Sequence, residues 1–151
     1  MLTFIHTNSQ NAHFQELVAL LDADLQVRDG DEHPFYAQYN KLHDIKYVIV
    51  AYQNERAVGC GAIKEYDAQT MEVKRMYVQE NMRGQGIASQ ILATLESWAK
   101  ELAYPKCILE TGKKQPEAIA LYLKNGYQII PNYGQYQRAE NSICFEKRLP
   151  L

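Results

Sequence analysis

The chain has 151 residues, 46% of them apolar and 23% charged, and sixteen Lys and Arg against eighteen Asp and Glu leave a formal net charge of −2. This is the balance of one ordinary folded domain able to bury roughly 68–70% of its unfolded surface, which excludes disordered and fibrous classes. No basic run follows a phosphate backbone, no apolar run spans a membrane, and "MLTFIHTNSQ" lacks the regions of a signal peptide, so a cytoplasmic protein binding neither nucleic acid nor membrane is expected.

"LTFIH" (2 to 6) reads as a short strand, and Ser9 as the N-cap of a helix reaching Arg28, with Ala12, Leu17, Val18, Leu21 and Leu25 on one face. Pro34 suits the first turn of a short second helix within "DGDEHPFYAQYNKLHD". "YVIVAY" and "AVGCGAIKEY", separated by "QNER", have the form of a hairpin, and "MEVKRMYV" follows as a third consecutive strand. From Gly86 the apolar residues Ile87, Ile91, Leu92, Leu95, Trp98 and Leu102 recur at helical spacing. "CILET" is a buried strand, and a fourth helix runs from Pro116 to Asn125 with Gly126 just beyond it. The strands "YQII" and "SICFEKRL" flank the loop "PNYGQYQRAEN". Three meandering strands followed by strand and helix alternation predict an α/β domain with a mixed sheet, occupying residues 1–151 without a linker. Cys60, Cys107 and Cys144 each sit in an apolar run and are expected to be buried, reduced thiols.

The segment "RMYVQENMRGQGIASQIL" carries the chemistry. A helix beginning directly after glycines presents unpaired N–H groups and a positive dipole end, a setting for phosphate oxygens. Gly84 and Gly86 allow close backbone approach, and Arg83 adds a forked, permanently charged donor. The residues alone leave a plain tight turn with a solvated arginine open. They also leave a dinucleotide fingerprint, since "GQGIAS" approximates GxGxxG and Glu110 lies near the end of the next strand, although "QENMR" intervenes where that fingerprint begins directly at a strand end. A P-loop fails at "CILETGKK", which lacks the first glycine and the Ser or Thr. The four histidines show no metal-ligand spacing, and no metal is expected.

The run "VQENMRGQGIASQIL" resembles the RxxGx[GA] acetyl-coenzyme A motif of the GNAT superfamily of N-acetyltransferases, and "AIALYLKNGY" is similar to a downstream signature of that family at Ala118, Leu121, Tyr122, Gly126 and Tyr127. The resemblance covers nearly the whole chain and implies a GNAT-like mixed, mostly antiparallel sheet of about seven strands flanked by four helices. It implies acetyl-CoA as co-substrate, with Arg83, Gly84, Gln85, Gly86, Ile87, Ala88 and Ser89 around the pyrophosphate and Met76, Tyr77 and Val78 beside the pantetheine. Gln115 stands where the family often has a cofactor-contacting Asn. The implied activity is transfer of acetyl to a primary amine of a small molecule or peptide in a ternary complex; a non-catalytic acyl-CoA sensor on the same fold is the alternative.

In that reading Tyr122 gives a proton to the thiolate and Val78 offers a backbone N–H to the oxyanion. Glu72, six residues before Val78 and so placed on its face by the period of two, matches the position of the family's general base. Tyr36, Tyr39, Tyr133 and Tyr136 are expected to wall the acceptor pocket, with Asp29, Asp31 and Glu32 drawing in a cationic amine. Many members of the family dimerise, so a homodimer is within expectation.

Overall fold

The apolar, β-branched runs form β1 (Leu2–Thr7), β2 (Tyr47–Gln53), β3 (Arg56–Asp67), β4 (Thr70–Val78), β5 (Lys106–Gly112), β6 (Gln128–Ile130) and β7 (Ser142–Arg148). In the computed structural model, which describes residues 1–32, 34 and 45–150, they make one sheet in the order β1-β2-β3-β4-β5-β7-β6. Among the described residues only β4 and β5 pair parallel, and the other neighbouring strands pair antiparallel. The β2–β3 hairpin closes on Asn54 and Glu55, both with positive φ (51° and 69°), the turn geometry that matches the twist of the strands it joins.

Three α-helices are found among the described residues, where four were expected: α1 (Ala12–Asp29), α2 (Ile87–Glu101) and α3 (Pro116–Lys124). Pro34 is helical, but the rest of the expected second helix, with Tyr36 and Tyr39, lies outside the described residues. The N-cap of α1 is Asn11 rather than Ser9. Its side chain accepts from the Phe14 N–H at 2.9 Å, whereas Ser9 is buried and its own N–H donates to the Ile45 carbonyl. The buried face of α1 accordingly starts at Phe14 and continues through Leu17, Val18 and Leu21, and Ala12 is exposed.

α1 covers one face of the sheet over Val48, Val50, Cys60 and Ala62, while α2 and α3 cover the other over Ile63, Val73, Leu109 and Phe145. The three cysteines are buried and unpaired, as expected. α2 lies against β3 because Gly61 has no side chain. A Cβ there would meet Met76 Sδ at 2.5 Å, Leu95 Cδ1 at 2.9 Å and Ile91 Cγ2 at 3.0 Å. Gly61→Ala is therefore expected to destabilise by about 1–3 kcal/mol through overpacking, read as a lower urea midpoint with an unchanged m-value.

Two irregularities mark β4. Ala62 pairs with Lys74 but Cys60 with Tyr77, so one residue of β3, Gly61, opposes two of β4, Arg75 and Met76, and Arg75 occupies the bulge at φ 60°. Its guanidinium is buried and donates to Asp22 of α1 at 2.6 Å, which anchors the bulge beneath that helix. The extra residue reverses the alternation of side chains. Glu72 and Lys74 face α1, whereas beyond the bulge Met76 and Val78 face α2, so Glu72 and Val78 lie on opposite faces and not on one as the simple period predicts. The second irregularity is a fork: β4 pairs with β5 only from Thr70 to Glu72, against Lys106 to Ile108, and the two strands then part.

Candidate active site

Residues 79 to 86 carry the chain from the end of β4 to the start of α2 through a short 3-10 turn at Glu80–Met82. Gly84 and Gly86 have φ of 81° and 80°, and open space lies where a Cβ would stand on either. Gly86 is the N-cap of α2 and supplies no side-chain acceptor, so the first amides of the helix are left to an outside group. Arg83 donates through Nε to the Val78 carbonyl at 2.9 Å and lies 5.4 Å from the centre of the Tyr77 ring. That carbonyl points to the edge that β5 has left, and in a strand the N–H of the same residue points to the same edge.

A groove of about 420 Å³ runs from this loop along β4 to α3. Met76, Tyr77, Val78, Arg83, Gly84, Gly86, Ile87, Ala88, Ser89, Gln115 and Tyr122 all line it. Of the residues expected around the pyrophosphate only Gln85 does not, and it is exposed. The groove also takes in residues that the sequence does not assign to a site: Leu21 and Asp24 of α1, and Glu117 and Lys124 of α3. Arg28 pairs with Glu117, joining α1 to α3 beside the groove. Asn125 donates to Ser89 Oγ at 3.1 Å, tying the end of α3 to the first turn of α2.

A second, smaller cavity of about 110 Å³ lies in the fork. Its walls include Glu72, Lys74 and Arg75 of β4, Glu110 and Thr111 of β5, Asp29 of α1, and Tyr136. Tyr122, Met76, Gln115, Ala118 and Leu21 line both cavities, so the groove and the fork meet at Tyr122. Tyr122 is buried against Phe145 and Tyr127, and no side chain among the described residues bonds its hydroxyl. Burial, with the nearby Glu110 carboxylate second, pushes the phenol well above its ordinary range, so it is protonated at any working pH.

Glu72 accepts a hydrogen bond from the Tyr133 hydroxyl at 2.6 Å and lies 3.8 Å from Lys74 Nζ. Glu110 accepts from Ser142 Oγ at 2.7 Å, and burial pushes its carboxyl up to about 7. In sequence Glu110 draws notice only as a ribose-binding acid, yet a sharper signal is present. In "CILET" the residues Cys107 and Leu109 share one face, which leaves Ile108 and Glu110 on the other, an acid in an otherwise apolar strand. Tyr136 lines the fork, whereas Tyr133 does not and stands behind Glu72.

The sequence model of the acetyltransferase (GNAT) family matches residues 14–127. The chain belongs to the GNAT acetyltransferase family. It is 33% identical over 151 residues to an IAA acetyltransferase of Azospirillum brasilense, covering 95% of this chain and 97% of that one. A Klebsiella pneumoniae structure assigned as an acyl-CoA N-acyltransferase superimposes with a TM-score of 0.83 at 33% identity, covering 99% of this chain and 98% of the other. A GNAT acetyltransferase of Elizabethkingia anophelis with acetyl-CoA bound shares the fold, with a TM-score of 0.70 at 20% identity over 98% of both chains.

The GNAT assignment removes the dinucleotide alternative. No helix among the described residues is long and apolar enough to cross a membrane.

Proposed function

We propose that this GNAT chain transfers an acetyl group from acetyl-CoA to the primary amine of a small molecule or peptide by direct attack in a ternary complex. The observation that carries the reading is the meeting of the cofactor groove and the acid-lined fork at one buried, protonated tyrosine.

The residues fit the cofactor. Arg83, Gly84, Gly86, Ile87, Ala88 and Ser89 set uncapped amides and one guanidinium around open space, which suits a pyrophosphate. Gln85 stands in the same loop between the two glycines, outside the lining of the groove. Met76, Tyr77 and Val78 flank the pantetheine arm on the open edge of β4, and Gln115 lies at its far end. Acetyl-CoA supplies an activated acyl carbon, and the protein supplies position and proton management.

At the fork, Val78 offers its N–H to the developing oxyanion and Tyr122 hands its proton to the departing sulfur. Glu72 acts at the acceptor end, where it and its neighbouring carboxylates draw the ammonium form of the amine into the cavity. Tyr136 walls the acceptor and Tyr133 holds Glu72; Tyr36 and Tyr39, expected in the same wall, lie outside the described residues.

Direct attack, rather than a covalent acetyl-enzyme, is supported by the cysteines. Burial pushes the thiols of Cys60 and Cys107 up to about 12 and that of Cys144 up to about 11, so none supplies a thiolate nucleophile at neutral pH. Initial rates with acetyl-CoA and amine both varied are expected to give intersecting reciprocal plots; parallel plots would mean that an acetyl-enzyme forms.

A further inference from the structure

We propose that Glu110, on the β5 side of the fork, takes the proton from the acceptor amine, while Glu72 on the β4 side holds the charge around it. The assignment deepens the acetyltransferase reading and rests on it.

The two carboxylates differ in what already holds them. Glu72 is engaged at both oxygens, Oε2 by the Tyr133 hydroxyl and Oε1 facing Lys74 Nζ. Tyr133 is itself packed edge-on against Tyr66 and Tyr136, so it fixes Glu72 in one orientation. Glu110 has Ser142 on Oε2, and Oε1 has no hydrogen-bond partner among the described residues. It stands two residues past Ile108, the last residue of β5 to pair with β4. Ile108 pairs with Glu72, and the period of two puts Glu110 on the same face, just where the strands have parted. Tyr122 reaches this opening from the α2 and α3 face, so the donor and the acceptor of protons approach the reacting centre from opposite sides of the sheet.

The groups around Glu110 set its behaviour. β4 supplies Glu72 and Lys74, α1 supplies Asp29, α3 supplies Tyr122, β7 supplies Ser142 and Cys144, and Tyr136 closes the side. Burial is the largest influence and raises the carboxyl; Ser142 and Lys74 oppose it, and Glu72 and Asp29 reinforce it. The result, about 7, is the range that favours a general base at neutral pH.

Protons and electron pairs balance across the step. The Glu110 carboxylate removes one proton from the ammonium, and the freed lone pair forms the C–N bond to the acetyl carbon. The C–S bond breaks, Tyr122 protonates the sulfur, and the second proton lost by nitrogen restores the phenol. Glu110 then releases its proton to solvent through the fork.

The test is the pH dependence of thiol release from acetyl-CoA, using the best acceptor from a panel of aliphatic amines, polyamines, free amino acids and peptide N-termini. Wild type should gain kcat/KM as pH rises through about 7, since the charged form of Glu110 is the active one. Glu110→Gln should lose that limb and about 100-fold or more in kcat, with acetyl-CoA affinity by calorimetry kept. Ser142→Ala removes a bond that favours the carboxylate, so the limb should move to higher pH. Glu72→Gln removes a like charge, so the limb should persist and move to lower pH. A limb that survives Glu110→Gln, or one that vanishes in Glu72→Gln, overturns the assignment while leaving the acetyltransferase reading intact. Should Glu110→Gln fail to fold, the opposed shifts of the other two variants decide, and an unmoved limb in both overturns the proposal. If wild type binds acetyl-CoA but releases no thiol with any amine, the parent reading fails and this assignment falls with it.

Discussion

Tyr122→Phe is expected to lower thiol release by about 100-fold with acetyl-CoA affinity unchanged. The substitution removes one oxygen and leaves the ring, so the packing against Phe145 and Tyr127 is kept. No side chain among the described residues bonds the hydroxyl, so no other group is orphaned and folding stability should barely change. General acids contribute about 10²–10⁴-fold, and the lower end is expected because a thiol with reference pKa about 8.5 leaves tolerably well as thiolate. Steady-state kcat and calorimetric affinity, measured on the same preparation, check the split. Equal loss in both would make Tyr122 a wall of the groove and not a proton donor.

Gly86→Val is expected to weaken acetyl-CoA binding by about 10- to 100-fold. Gly86 caps α2 at φ 80°, in the left-handed region that a β-branched residue adopts only under strain of about 1–3 kcal/mol. Either the loop rotates to relieve that strain, misdirecting the first amides of α2, or the strained form is retained and a methyl group enters the space meant for the anion. Both routes act on affinity, at tenfold for each 1.4 kcal/mol or so. Calorimetric titration checks it, and Gly86→Ala should fall between the two. An unchanged affinity in the valine variant would mean that the loop does not hold the pyrophosphate.

Most of the architecture was legible because its signals are local. The alternation in "YVIVAY", the helical stripe from Ile87 to Leu95 and the Pro116 and Gly126 pair around α3 each depend on neighbours a few residues away. The glycine loop was legible for the same reason. What escaped depended on distant partners. The β4 bulge reads as ordinary alternation in "MEVKRMYV", and only pairing with β3 and the buried contact from Arg75 to Asp22, 53 residues away, reveal it. That one residue moved Glu72 to the face opposite Val78. Ser9 was expected to cap α1, but its backbone is held to Ile45 and the Phe14 N–H donates to Asn11 Oδ1, which puts the cap two residues later. Tyr133 was expected in the acceptor wall, but it is committed to Glu72 across 61 residues, and Glu110 gained its place from the parting of two strands.

The most direct measurement is free-thiol release from acetyl-CoA by the wild-type protein across the amine panel, with the acetylated product identified by mass spectrometry. Amine-dependent release with stoichiometric acetyl-amine is the expected result, and the preferred acceptor then names the substrate class. Tight acetyl-CoA binding with no amine-dependent thiol release would contradict it, and would make the groove and fork those of a coenzyme A sensor.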